Sequence, residues 1–164
     1  MLFLEIVLLI ILLLCLRFAW SYIMLVTAKH NTKEAFNKLF EKLKEYVLKI
    51  QCLLEEIKDN EKVNSDTVNE TEDFITKLLS FSFEKDGNER IIGYANAIYL
   101  NMEKLLPVIK ETEAFSKYTD FTKEFEQEKE KYNDTAKKLR HYVDVFPSSL
   151  IARLKRIKTF DYIR

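Results

Sequence analysis

The apolar pattern of the first 60 residues changes once, and no Pro or Gly interrupts it. Residues 1–26 are apolar on every side of a helix, apart from Glu5, Arg17 and Ser21. Further along, the apolar positions narrow to a stripe with alternating steps of three and four: Phe36, Leu39, Leu43, Tyr46, Ile50, Leu53 and Ile57. A helix that is apolar all round belongs in lipid, whereas a striped helix packs against other helices in water. The pattern therefore predicts one continuous helical rod of about 90 Å, at about 1.5 Å per residue, with its first third in a bilayer.

Three more helices are predicted after this rod. Their apolar faces recur at helical spacing over residues 65–85, 89–106 and 112–145, while the soluble part of the first helix should cover about 29–60. Because the loops between these helices are short, consecutive helices should run antiparallel. We therefore predict an all-α fold, with an N-terminal transmembrane helix continuous with an antiparallel, up-down-up-down four-helix bundle.

This topology divides the chain into an anchor (1–28), a helical bundle (29–147) and a basic amphipathic tail (148–164). The fourth helix returns toward the side on which the first one leaves the membrane. The tail is therefore expected near the bilayer.

Two glycines and one proline punctuate the helices. Gly87, in the turn-like run 84–88, is expected at the C-terminal end of the second helix. Gly93 lies inside the third helix, where it predicts a close helix crossing rather than a break. Pro107 should end or kink the third helix, because proline lacks a backbone donor and disfavours helical conformation at the residue before it.

The apolar N-terminal segment has three interpretations. A cleaved signal peptide needs a basic start and small residues at the cleavage site, but Glu5 is the only charge before Arg17. A lipoprotein signal ending at Cys15 needs small residues before the cysteine, where three leucines stand. The pattern favours an uncleaved single-pass anchor.

Within such an anchor, Leu2, Leu9 and Leu13 lie in the span. Arg17 is expected to extend its side chain toward the headgroups, and Trp20 and Tyr22 are expected at the interface.

The positive-inside rule predicts the orientation. Arg17, Lys29, Lys33 and Lys38 follow the span, and no Lys or Arg precedes it. The bundle is therefore expected in the cytoplasm.

The formal net charge is zero, with 26 Lys and Arg against 26 Asp and Glu, so bulk charge does not indicate a nucleic-acid partner. The charge is nevertheless uneven, because the tail is basic. Arg153, Lys155, Arg156 and Lys158 are candidate contacts for lipid headgroups. In a second interpretation, Leu150, Ile151 and Leu154 fold back onto the bundle, and both interpretations can hold together.

Short motifs resemble those of the LemA family. The first is Tyr22-Ile-Met-Leu25-Val26-x-x-Lys29 followed by Glu34-Ala35-Phe36, similar to the family's Tyr-Asn-x-Leu-Val-x-x-Arg and Glu-Ala-Trp. The second is Tyr132-Asn133 with Phe146-Pro147-Ser148, Leu150 and Ala152, at the family's spacing. The third is Leu105-Leu106-Pro107 with Lys110 and Phe115.

This resemblance spans nearly the whole chain and implies a membrane-anchored four-helix bundle without known catalytic activity. Three departures mark a divergent member. Ile23 replaces the family's first Asn, Gln51 replaces a frequent Pro, and Leu139-Arg140 stands where a second Tyr-Asn is usual.

The chain shows no recognisable catalytic, cofactor or metal motif. Neither His30 nor His141 has a Glu three residues before it, as di-iron bundles require. The two cysteines, Cys15 and Cys52, lie too far apart along one helix to form a disulfide. Tyr132-Asn133 is interpreted as a cap or an interhelical hydrogen bond, with a recognition pair as the alternative.

Two functional hypotheses follow. The first is a non-enzymatic, membrane-anchored, coiled-coil-like scaffold that forms a homo-oligomer, as a ring or belt, and organises or shapes the lipid bilayer. The second is a cytoplasmic adaptor or signalling bundle that docks an unidentified protein partner at the membrane.

Overall fold

The computed structural model describes the backbone of residues 2–163 and, within it, all side chains except those of residue 2 and residues 83–85. Over these residues the fold is all-α, without strands. Its five helices are α1 (Leu2–Ile57), α2 (Ser65–Ser80), α3 (Phe83–Ile109), α4 (Ala114–Asp144) and α5 (Ser148–Leu154).

Helix α1 is continuous, as its sequence predicts, and it is long and apolar enough to cross a membrane. Its first 20 residues hold no buried side chain among those described, whereas every residue of the predicted stripe from Phe36 to Ile57 is buried. The end differs slightly from the expected residue 60, because the chain turns at Lys58 and the Asn60 N–H bonds back to the Ile57 carbonyl at 3.0 Å. The seven-residue apolar stripe is therefore confirmed as a buried face.

Helix α2 begins where the sequence predicts and ends five residues earlier. The Asn64 side chain caps its N-terminus by accepting hydrogen bonds from the N–H groups of Asp66 (2.9 Å) and Thr67 (3.3 Å). At the other end, Phe81 is extended and donates its N–H to the Leu78 carbonyl. The helix stops at this point, so the expected end near 85 was wrong.

The three punctuating residues behave differently from one another. Gly87 has φ +72°, a conformation that other residues rarely adopt, and it interrupts α3 near its start. Its expected position at the end of the second helix was therefore wrong. Gly93 is exposed and no atom lies within 4 Å of the position a Cβ would take, so the predicted close crossing was wrong. Pro107 is exposed inside the last turn of α3, which continues to Ile109. Proline lacks the N–H that would bond to the carbonyl of Glu103, four residues earlier, yet the helix continues for two more residues, so the expected end at 106 was wrong.

The chain forms two compact units. The terminal unit consists of Met1–Glu34 and Asp134–Phe160, and the central unit consists of Ala35–Asn133 and Asp161–Arg164. Each unit therefore takes part of α1 and part of α4.

In the central unit, contacts between α1 and α4 pair rising residue numbers on one helix with falling numbers on the other. These contacts are Phe36–Tyr132, Tyr46–Phe125, Lys49–Glu124 and Glu56–Lys117. Contacts of α3 with α2 and its cap follow the same rule: Glu70–Asn101, Phe74–Tyr94 and Phe81–Arg90. Each pair of helices therefore runs in opposite directions.

The core of the terminal unit is small. Leu25, Leu139 and Ala152 are buried at its centre, one each from α1, α4 and α5. Thr32 is also fully buried, and its hydroxyl lies 2.8 Å from the Ala28 carbonyl and 3.1 Å from the Thr135 carbonyl. This polar contact joins α1 to α4 within the unit.

Candidate membrane-binding site

The N-terminal part of α1 exposes apolar side chains in every direction. From Phe3 to Leu16 each residue is exposed apart from the half-exposed Val7. Leu9 is 56% exposed and Leu13 is 57% exposed, while the side chain of Leu2 lies outside the described residues. Water makes such a surface costly, at about 25 cal/mol per Å² of apolar area, so this segment needs an apolar environment.

The predicted interfacial residues lie on α1, directly after this apolar segment. Arg17 is exposed, Trp20 is 63% exposed and Tyr22 is 44% exposed. Arg17 and Trp20 line a cavity of about 200 Å³ in the terminal unit, together with His141 and Pro147. The structure thus brings Arg17 and Trp20, both predicted to be interfacial, next to the end of α4.

One aromatic contact in the terminal unit links α1 to the turn after α4. The rings of Phe18 and Phe146 meet edge to face, with centroids 5.9 Å apart. Phe146 is otherwise exposed and Pro147 is buried.

Helix α5 presents one face to the core and the opposite face to solvent. Ser148 and Ala152, one turn apart, are buried. Leu150 is 49% exposed and Leu154 is 78% exposed, so the expectation that these two leucines pack on the bundle was wrong. Only Ile151 of the three named residues packs against the core, because the register of this short helix turns positions 148 and 152 inward.

The four candidate headgroup contacts all lie on the terminal unit. Arg153, Lys155, Arg156 and Lys158 are exposed, and none of them forms an ion pair with a described residue. Their charges accompany the exposed leucines of α5, a combination typical of interfacial segments.

Tyr132 and Asn133 hold the C-terminal end of the chain, a role that the sequence did not reveal. The Tyr132 hydroxyl donates to the Asp161 carbonyl, and the Asn133 amide both donates to the Ile163 carbonyl (2.9 Å) and accepts from its N–H (3.2 Å). The Tyr132 hydroxyl also hydrogen-bonds with the side chain of Asn88 on α3, so Tyr132 does join two helices, whereas the two bonds of Asn133 do not. Burial raises the pKa of the Tyr132 phenol well above its usual range, and the nearby Asp161 charge raises it further.

The other residues of the family-like motifs are scattered. Glu34 is exposed and lies 3.2 Å from the His30 imidazole, Ala35 is half-buried, and Phe36 is buried against Tyr132. The structure brings together Phe36 and Tyr132 but gives the whole set no common site.

A second cavity, of about 270 Å³, lies on the central unit between α1 and α4. Its apolar walls are Leu53 and Phe121, and Cys52 lies at its edge. Two exposed ion pairs flank it, Lys117–Glu56 at 2.9 Å and Lys49–Glu124 at 3.5 Å. Exposed pairs of this kind contribute little to stability, so they are free to exchange partners.

Within the described residues, no group of three or more His, Cys, Asp or Glu is placed to hold a metal ion. No family model matches the chain, no curated protein matches it, and no solved structure matches it. The LemA resemblance therefore rests on its motifs alone.

Proposed function

We propose that this chain is a non-enzymatic, single-pass membrane protein of LemA type, whose helical bundle forms a homo-oligomer that organises or shapes lipid. One observation carries the proposal. The exposed apolar segment and the buried stripe belong to the same uninterrupted helix α1. Each copy of the chain would therefore project from the membrane in the same way.

The bundle is proposed to be antiparallel and up-down-up-down. The opposite directions of α1 and α4, and of α2 and α3, in the central unit support this arrangement. Short connections between successive helices support it as well.

Membrane attachment is proposed to involve α5 in addition to α1. The exposed Leu150 and Leu154 would lie in the interface, with the basic side chains after them directed to anionic headgroups. The positive-inside rule favours a cytoplasmic bundle, and the LemA resemblance favours a bacterial inner membrane.

Identical subunits with identical contacts close into rings when the rotation between neighbours permits. Leucine and isoleucine surround the anchor, so one side of it would contact neighbouring anchors while another contacts lipid. We therefore propose a ring or belt of many copies.

Electron microscopy of gently solubilised full-length protein tests this proposal. Uniform closed assemblies that are lost in the variant carrying both Leu9→Lys and Leu13→Lys are expected. A dispersed monomer at micromolar concentration would contradict homo-oligomerisation.

The cavity on the central unit, between α1 and α4, favours a second candidate function: an adaptor that docks a protein partner. Leu53 and Phe121 would receive an apolar side chain, and Lys49 and Lys117 would exchange ion pairs with acidic residues of the partner. An adaptor would be a monomer or dimer whose size changes when a partner is added. Size measurement of the solubilised protein, before and after pull-down, separates the two candidates.

A further inference from the structure

A basic cavity of about 370 Å³ opens on the terminal unit, beside the end of α4, α5 and the residues that follow it. Arg153, Arg156 and Lys158 line it, together with the single carboxylate of Asp144 and the hydroxyl-bearing Ser149. The volume lies at the lower end of the range of about 300–1,000 Å³ found for small-molecule sites. Three exposed cations thus line one solvent-open cavity together with one acid.

These cations are not neutralised by the protein. None of the three forms an ion pair with a residue that the structure describes, and Asp144 lines the same cavity without pairing with any of them. Like charges collected in one cavity repel each other, and an anion bound between them removes that repulsion. Two guanidinium groups also offer the forked donors that suit phosphate oxygens.

The backbone at Arg156 points to a use for this side chain. Its φ is +49°, in the left-handed region where helices usually end with glycine. The helix end around it is a Schellman motif, because the Ile157 N–H bonds to the Ala152 carbonyl (2.9 Å) and the Arg156 N–H bonds to the Arg153 carbonyl (3.2 Å). Arg156 thus places a guanidinium at the cavity from a backbone conformation that glycine adopts with less strain.

We infer that this cavity binds a phosphate ester, and that its source is the headgroup of an anionic phospholipid. Leu150 and Leu154 are exposed on α5, which borders the cavity. Their apolar side chains would contact the acyl chains of a bound lipid. Asp144 and Ser149 suit the hydroxyl groups of a glycerol headgroup, since a carboxylate accepts and a hydroxyl both donates and accepts. The lipid part of this inference rests on the proposed membrane attachment.

The test uses full-length protein in a mild non-ionic detergent and native mass spectrometry. Phosphatidylglycerol and phosphatidylcholine with the same acyl chains are titrated separately, and the lipid retained per chain gives each affinity. We expect phosphatidylglycerol to bind about tenfold more tightly than phosphatidylcholine. Equal retention of the two lipids would overturn the inference.

A matched pair of triple variants separates a built cavity from general surface charge. Arg153→Gln, Arg156→Gln and Lys158→Gln together should lose the tenfold preference. Lys29→Gln, Lys137→Gln and Lys138→Gln remove the same charge from exposed positions of the same unit that do not line the cavity. The control should keep its preference within about threefold, and equal losses in both variants would overturn the inference.

Asp144→Asn keeps the test valid if the first triple variant unfolds. Removal of the one carboxylate should tighten phosphatidylglycerol binding by about threefold, a gain that unfolding cannot produce. No gain, with the fold intact by circular dichroism, would contradict a phosphate held in this cavity.

Two further measurements assign the source of the phosphate and separate this inference from the proposed function. If free glycerol 1-phosphate displaces the lipid at an equal concentration, the ligand is a soluble ester and the lipid assignment is wrong. If full-length protein inserts into phosphatidylcholine vesicles but shows no headgroup preference, the result agrees with the proposed anchoring and contradicts only the phosphate site in the cavity. If the protein does not insert, the proposed anchoring is wrong. The headgroup preference measured in detergent then tests the cavity on its own.

Discussion

The terminal unit and the central unit take residues from the same two helices, α1 and α4, but differ in charge and in core. The terminal unit has ten Lys and Arg against four Asp and Glu, a net charge of +6. The central unit has sixteen against twenty-two, a net charge of −6. The zero net charge of the chain therefore conceals two oppositely charged units.

The cores differ as strongly as the charges. Three residues form the buried centre of the terminal unit, while the central unit buries the α1 stripe from Phe36 to Ile57 and faces of α2 and α3. The terminal unit also carries the exposed apolar segment of α1 and the exposed leucines of α5. A small core with an apolar, basic surface suits attachment to lipid, and a large core with an acidic surface suits a soluble bundle.

The largest expected effect comes from charging the exposed apolar segment. The double variant Leu9→Lys and Leu13→Lys should abolish membrane insertion, because each substitution costs about 3 kcal/mol at the centre of a span. Flotation of full-length protein with vesicles at neutral pH measures membrane insertion. Leu48→Lys is the matched control, since Leu48 is 49% exposed on the same helix but belongs to the central unit.

The control should float as the wild type does. If Leu48→Lys and the double variant lose flotation equally, the two units do not differ in their contact with lipid.

The second expected effect compares the two cores. Leu54→Ala should lower the free energy of unfolding of the central unit by about 2–5 kcal/mol, because Leu54 is fully buried. Leu139→Ala in the terminal unit should cost less, about 2–3 kcal/mol, since fewer buried neighbours surround the cavity it leaves. Urea unfolding in detergent, followed by circular dichroism, measures both, with Leu48→Ala as an exposed control.

High pH should destabilise the central unit. Burial raises the pKa of Tyr46, Tyr118 and Tyr132, so the folded state keeps phenolic protons that the unfolded chain releases near pH 10. Stability from these groups is complete below pH 10 and falls above it, by about 1.4 kcal/mol per pH unit for each tyrosine. Unfolding at pH 8, 10 and 11 measures the slope, and Tyr132→Phe should remove the share of one tyrosine.

A smaller effect is expected where the C-terminal end is held. Asn133→Ala removes both hydrogen bonds to Ile163 and should cost about 1–2 kcal/mol. The rate of hydrogen exchange at residues 161–163 should also rise in this variant. Asn69→Ala, an exposed position on α2, should change neither quantity.

The smallest effects concern the backbone, one in each unit. Gly93→Ala should stabilise the central unit by about 1 kcal/mol, since the site is helical, exposed and open. Arg156→Gly should stabilise the terminal unit by about 0.5–1 kcal/mol through relief of its positive φ. Thermal unfolding measures both, and only Arg156→Gly should also weaken phosphatidylglycerol binding.

Much of the fold could be predicted, because periodicity reports local geometry. The change in apolar pattern along α1 located both the exposed segment and the buried stripe. The acid-rich start of α2 was also found at the correct residue, Ser65. These features depend only on neighbours three and four positions away.

The features that were missed depend on distant or non-helical parts of the chain. Asn133 bonds to a backbone 30 residues away, and periodicity contains no information on such a partner. The basic cavity depends on the register of a seven-residue helix and on one left-handed residue, Arg156. Gly93 misled for the opposite reason, because glycine in a helix is compatible with close contact and with open space alike.

Two native cysteines allow the most direct test of the difference between the units. Cys15 is exposed in the apolar segment of the terminal unit, and Cys52 is exposed in the central unit. Full-length protein in vesicles is treated with a membrane-impermeant maleimide at neutral pH, before and after detergent is added, and tryptic mass spectrometry identifies the labelled cysteine. Inside-out vesicles from cells present the cytoplasmic side to the reagent.

We expect Cys52 to react at once in inside-out vesicles and Cys15 to react only after detergent is added. The bilayer keeps the charged reagent out and disfavours the thiolate form with which the reagent reacts. Equal labelling of Cys15 and Cys52 without detergent would contradict a membrane-embedded terminal segment.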